Sequence, residues 1–290
     1  MGIYCLDSKF VIEANSVIGS GNGGIQVYRS SSGSDNSIVT GNTVGQTGAT
    51  LGGTGQYGNG IGVFQADYVV VSNNTIYGST FAAIRFNSSN HGHVLGNSCY
   101  GSGEMGIWME SPGASFFGGI VADNIIENAG GGINIANYPG RFVTVANNQV
   151  TNIVVQTVIP GYESAGRGIA AQTGDVLLTG NQIENVADWG ITLIPFSNGG
   201  ATTTGQAESN MMRNCTGGIG FVQSNENTAL MVGGNTINNY TSSSQYGAIV
   251  ACSYDGTTGS VTRLPGATDL GNATSSGFDN VVLLLNYSYN

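Results

Sequence analysis

A small residue followed by isoleucine recurs ten times along the chain, at Gly2-Ile3, Gly24-Ile25, Gly60-Ile61, Ala83-Ile84, Gly106-Ile107, Gly132-Ile133, Gly168-Ile169, Gly190-Ile191, Gly218-Ile219 and Ala248-Ile249. Successive isoleucines lie 22, 36, 23, 23, 26, 36, 22, 28 and 30 residues apart, so a basic turn of 22 to 23 residues is punctuated by insertions. A unit of this size cannot bury an apolar face alone, and a fixed period therefore demands stacking. A second series runs in phase with the first: Asn15, Asn42, Asn74, Asn97, Asn124, Asn148, Asn181, Asn210 and Asn235.

The residue two after each isoleucine is Cys5, Val27, Val63, Phe86, Met109, Ile135, Ala171, Leu193, Phe221 and Ala251, apolar in every turn, while the residue between varies freely. Alternation of period two means strand. Short strands with glycine-rich corners and no helical pattern between them predict an all-β fold, a single-stranded right-handed parallel β-helix of about ten coils. At about 4.8 Å per coil the rod would be roughly 48 Å long. The whole of 1–290 reads as one such domain, with 266–290 as its C-terminal cap or tail. An asparagine at each corner can bond its equivalents above and below, a structural use that takes precedence over catalysis or glycosylation.

Composition excludes several alternatives. The 48 glycines follow no three-residue period, which rules out collagen, and 40% apolar residues with only 8% charged is not a disordered composition. No apolar run is long enough to span a bilayer, and Met1-Gly2-Ile3-Tyr4 lacks the basic and apolar segments of an export signal. A net charge of −10 with scattered bases argues against nucleic acid and anionic membranes as partners. Cys5, Cys99, Cys215 and Cys252 form no CxxC pair and read as free thiols.

Several segments resemble those of known proteins. The repeat as a whole is similar to the right-handed parallel β-helix proteins of pectate-lyase-like architecture. Gln56-Tyr57-Gly58-Asn59-Gly60-Ile61-Gly62-Val63-Phe64, Gly96-Asn97-Ser98-Cys99 and Ala187-Asp188-Trp189-Gly190-Ile191 resemble bacterial twin-arginine-translocated repeat proteins. The resemblance implies an exported protein. Such a protein would carry a signal ahead of its repeats and an amphipathic cap on its first coil, so a trimmed chain or a capping partner is expected.

If the isoleucines point inward, the residues one and three later point outward and line one face. The first column is Gln26, Gly62, Arg85, Trp108, Asn134, Ala170, Thr192, Gly220 and Val250; the second is Tyr28, Phe64, Asn87, Glu110, Ala136, Gln172, Ile194, Val222 and Cys252. Tyr28, Phe64, Asn87, Trp108 and Asn134 make a candidate glycan-binding surface, because sugar rings stack on aromatic faces and their hydroxyls need fixed polar partners. Arg85 could pair with the carboxylate of an acidic sugar. Insertions around 45–58 and 151–166 could wall a groove. The alternative for Arg85 and Glu110 is a plain surface ion pair.

Candidate catalytic residues are Glu110 as acid or base, Arg85 as electrophilic clamp, and His91 or His93 as proton carrier. No cofactor is implied: the aspartate clusters that hold Ca²⁺ in lyases of the resembled architecture are absent, and so are its Asn-Thr-Asp, Asp-Asp and Arg-Ile-Lys hydrolase motifs. Ala170, Ile194, Val222, Val250 and Cys252 would leave an apolar stripe on the C-terminal half. Its cover would be Val154 to Tyr162, the Val281-Val282-Leu283-Leu284-Leu285 tail, or another chain of a homotrimer in place of a monomer. The expected protein is secreted, periplasmic or on a cell or virion surface. It binds a polysaccharide and acts as a lyase, epimerase or hydrolase, or else serves as a noncatalytic glycan-binding rod, fibre or adhesin segment.

Overall fold

The computed structural model describes residues 1–51, 57–110, 117–136, 141–194, 203–223, 228–241, 249–255, 260–263 and 273–274, and every regular element among them is a strand. Each coil contributes three short strands, which stack in register on the corresponding strands of the next coil to give a rod with three faces.

The first face carries the isoleucines. Ile3, Ile25, Ile61, Ile84, Ile107, Ile133, Ile169, Ile191, Ile219 and Ile249 follow one another in unbroken parallel register. Their side chains and those two residues later, from Cys5 through Phe221, form the buried column that alternation required. The small residue before isoleucine also has a physical cause. A Cβ on Gly132 would lie 2.1 Å from the carbonyl oxygen of Gly168 in the next coil, so the backbones approach too closely there for a side chain.

The second face is a nine-stranded parallel sheet running from Val11–Glu13 to Thr228–Gly233. The third follows the asparagine corner. Two long strands, Gln182–Leu193 and Met211–Gln223, cross from the third face into the first and join those faces into a single 19-stranded sheet.

The corner between the second and third faces is a two-residue bend. Its first residue is left-handed in coil after coil: Ala14, Gly41, Asn73, Gly96, Asp123, Asn147, Gly180, Ser209 and Gly234 all have φ between 55° and 65°. Its second residue is the ladder asparagine. Each Oδ1 accepts both the backbone N–H and the side-chain N–H of the asparagine one coil earlier, as Asn124 does from Asn97 at 2.9 and 3.0 Å. The pattern is unbroken from Asn15 to Asn235. Spare Nδ2 hydrogens go to carbonyls inside the coil, so the bend leaves no buried amide unmet.

The apolar stripe, expected to need a cover, is covered within this chain at its described positions: Ala170 and Ile194 are buried, at 5% and 4% exposure. Trp189 folds over the same region, lying 3.3 Å from where a Cβ on Gly220 would stand. Val154 and Val155 instead face outward, half exposed. The side chains of Val222, Val250 and Cys252 and the tail from Val281 to Leu285 lie outside the described residues. Within 266–290 only Ala273–Thr274 is described, where it adds a parallel rung to Thr236–Asn238. Cys5, Cys99 and Cys215 are free, and burial pushes the Cys99 thiol up to about 12.

Candidate functional site

Strand register places Arg85 on the isoleucine face between Gly62 and Trp108, and Asn87 between Phe64 and Glu110. The four polar or aromatic side chains of these two rungs converge. Arg85 donates to Glu110 Oε1 from Nε at 2.9 Å and from Nη2 at 2.5 Å, and Asn87 Nδ2 donates to the same oxygen. The Trp108 ring lies under the guanidinium, 4.1 Å from its Cζ. The ion pair of the alternative reading is therefore present, but it is not a surface pair, because Arg85 is only 4% exposed. A buried arginine needs partners on every side, and this one has a second carboxylate.

That carboxylate is Glu104, in the corner just before the strand Ile107–Glu110. It is fully buried, with Oε2 3.8 Å from Arg85 Nη1, and its Oε1 accepts a hydrogen bond from the Tyr162 hydroxyl. Burial pushes the Glu104 carboxyl up to about 7 against the opposing pull of Arg85 and Tyr162, with Glu110 adding to the rise. Burial and the neighbouring Glu104 push the Tyr162 phenol upward as well, which keeps it a proton donor. Tyr162 arrives from the 151–166 insertion, which folds as an antiparallel pair, Thr157–Ile159 with Tyr162–Glu163, turning at Gly161 with φ 84°. The insertion does stand beside the isoleucine face and delivers a functional group to it.

Neither Glu104 nor Tyr162 was among the residues expected from sequence. Alternation assigns sides only within strands, and both residues lie off the isoleucine strands. The available signal was a lone acid in the small-residue corner Gly101-Ser102-Gly103-Glu104-Met105-Gly106, where a charge has no structural reason to be.

The site extends along the rod as a row of buried polar atoms that make no hydrogen bond: Arg85 Nη1 and Glu104 Oε2, which face each other as an ion pair at 3.8 Å, and Trp108 Nε1, Asn134 Oδ1 and Thr192 Oγ1. They are five of the ten such side-chain atoms among the described residues, and four of the residues belong to the first outward column. From Arg85 to Thr192 the row covers four rung steps, about 19 Å. An aromatic ring lying over a glycine bounds it at each end, Phe64 over Gly62 and Trp189 over Gly220.

Other expected residues have different surroundings. Phe64 is 5% exposed and serves as this end wall, leaving no open platform. Tyr28 is half-buried and stacks on Tyr4, with ring centroids 6.2 Å apart. His91 stacks on Tyr68 at 4.6 Å, and His93 stands on Gly92–Leu95 of the second face. Neither histidine hydrogen-bonds Arg85, Asn87 or Glu110, so the structure does not bring the two together with the rest of the expected catalytic set. Among the described residues no three His, Cys, Asp or Glu side chains gather as a metal site, and no helix is long and apolar enough to cross a membrane.

Residues 1–161 match the family described as right handed beta helix region. The chain belongs to that family. Among solved structures it is similar to PfbA, a surface adhesin of Streptococcus pneumoniae, at TM-score 0.52 and 11% identity, covering 94% of this chain and 84% of that one. It is also similar to the periplasmic alginate epimerase AlgG, at TM-score 0.51 and 13% identity, covering 94% and 76%. The catalytic unit of a GH87 α-1,3-glucanase from Streptomyces thermodiastaticus strain HF3-3 follows at TM-score 0.49 and 16% identity, covering 96% and 58%. At these identities the likeness is one of fold. No match is found among curated protein sequences.

Proposed function

We propose that this β-helix protein binds a polysaccharide lengthwise along its isoleucine face, between Phe64 and Trp189, at a cell surface or outside the cell. The observation that carries the reading is the row of unpartnered polar atoms. A buried donor or acceptor left unmet costs about 1–3 kcal/mol, and three along one column, Trp108 Nε1, Asn134 Oδ1 and Thr192 Oγ1, favour a ligand that supplies hydroxyls there. A rung spacing of about 4.8 Å is close to the length of one sugar ring, so an extended glycan can address successive rungs. Trp108 and Asn134 are the central contacts, and Asn87 helps position Glu110. Adhesin and polysaccharide-modifying roles among proteins of similar fold accord with this use. The resemblance to twin-arginine-translocated repeat proteins supports an exported location.

A second reading, glycosidic bond hydrolysis, is favoured by the two carboxylates flanking Arg85. Glu104, protonated to near neutrality but fully buried, would have to be uncovered by a shift of Tyr162 to donate its proton to the glycosidic oxygen, while Glu110 takes a proton from the water that attacks the anomeric carbon. The carbon–oxygen bond to the leaving sugar breaks as the bond to water forms, and the leaving oxygen retains the donated proton. Tyr162 positions Glu104 through its hydroxyl, and Arg85 positions Glu110. No step runs through His91 or His93.

The two readings separate in one experiment. An oligosaccharide array identifies ligands of the intact protein, and Trp108→Ala must weaken them at least about tenfold. Binding untouched by Trp108→Ala overturns the cleft. Reducing ends released by the wild type and lost in Glu110→Gln establish hydrolysis, whereas binding without release leaves a glycan-binding rod.

A further inference from the structure

We infer that the glycan bound along the isoleucine face is uncharged, a polymer of neutral sugars and not of uronates; the inference rests on the cleft proposed above. The sequence-derived expectation that Arg85 would grip an acidic sugar fails on geometry. Glu110 already takes two N–H groups of its fork, and the remaining Nη1 faces Glu104 Oε2 at 3.8 Å. A uronate entering here would meet the Glu110 carboxylate before a free cation.

Among the described side chains no other cation stands free to replace it. The chain has seven basic residues, and the described side chains of Arg29, Arg167 and Arg213 are each paired, with Asp35, Asp188 and Glu184. Lys9 is exposed in the corner after the first rung, far outside the stretch between Phe64 and Trp189. Arg141 begins a strand of the second face, and Arg263 ends the antiparallel strand beside Cys252. Segments 52–56, 111–116, 137–140 and 195–202 contain neither Lys nor Arg. A polyuronate laid over four rung steps would therefore bring several negative charges to a face whose single arginine is taken, on a chain of net charge −10.

The hydrogen-bonding character of the row agrees. Trp108 Nε1 can only donate, Asn134 Oδ1 can only accept, and Thr192 Oγ1 does either. Sugar hydroxyls both donate and accept and so can meet all three, whereas the carboxylate that distinguishes a uronate only accepts and adds no partner for Asn134 Oδ1.

The test is affinity electrophoresis of the full chain, at low ionic strength where charge attraction is strongest, against neutral glucans, mannan and xylan and against alginate and polygalacturonate. A neutral polymer should be retained at least about tenfold more tightly than either polyuronate, with Trp108→Ala abolishing the difference. Tighter retention by a polyuronate that Trp108→Ala weakens overturns the neutral assignment and leaves the cleft standing. Retention by no polymer, or retention that Trp108→Ala leaves unchanged, overturns the cleft itself.

Discussion

Replacing Glu104 by glutamine isolates the buried carboxyl from the rest of the protein. In the unfolded chain this group titrates near 4.5, and in the folded protein burial raises it to about 7. Below 4.5 both states hold the proton, and Glu104 contributes no pH dependence. Between 4.5 and about 7 the unfolded chain has released a proton that the folded protein still binds, so the folded state loses stability as pH rises. Above about 7 the full cost is present. At 1.36 kcal/mol per unit, the interval corresponds to roughly 3 kcal/mol. Glutamine keeps the size of the side chain and an oxygen for Tyr162 to bond, but it does not titrate. Glu104→Gln should therefore match the wild type near pH 4 and exceed it by up to roughly 3 kcal/mol at pH 8. Urea unfolding of the two proteins from pH 4 to 8 gives this difference directly, because contributions from other acids cancel between them. Parallel stability profiles across that range would refute the placement of a dry carboxyl behind Tyr162.

Tyr162→Phe removes a hydrogen bond that lowers the Glu104 value, so the midpoint of the same profile should move to higher pH; an unmoved midpoint would show that the insertion does not reach Glu104. Asn124→Ala deletes three donated hydrogen bonds and leaves the buried backbone N–H of Asn97 without an acceptor, for an expected loss of about 3–5 kcal/mol in denaturant unfolding. Asn185→Gly, in a second and exposed ladder bonded to Asn152 and Asn214, keeps the left-handed backbone allowed and should cost under about 0.5 kcal/mol; equal losses at the two sites would contradict the distinction. Gly132→Ala forces a methyl against the carbonyl of Gly168 and should cost about 3 kcal/mol, readable as a lowered melting temperature.

The coil was legible because its rules are local and repeat. Isoleucine alternation and corner asparagines state in each coil which side faces in, and every expected rung pairing on the isoleucine face is the one observed. The left-handed residue before each ladder asparagine went unread beyond the glycine-rich corners, because Ala14 and Ser209 blur the run of Gly, Asn and Asp at that position. Exposure was less legible than the coil. Register gives the direction of a side chain but not what lies over it, which is why Phe64, outward by register, is buried against the space left by Gly62. Glu104 meets Tyr162 across 58 residues, through an insertion whose fold the repeat does not encode.

The contrast between the two polar systems is what separates scaffold from site. Along the asparagine corner, consecutive residues are joined by paired hydrogen bonds from Asn15 to Asn235, and spare donors find carbonyls even where the chain is fully buried. A fold able to satisfy amides this completely has no general difficulty in pairing buried polar groups. Yet the isoleucine face leaves an indole N–H, an amide oxygen and a hydroxyl unmet within three rung steps, about 14 Å, beside a guanidinium and a carboxylate whose remaining atoms meet only each other. Apolar residues there would remove the cost, as Ala170 in the same column shows, since it stands between Asn134 and Thr192 and is buried without penalty. Polar groups retained against that alternative, bounded by aromatic rings and flanked by two acids, are arranged for a partner that brings its own hydroxyls.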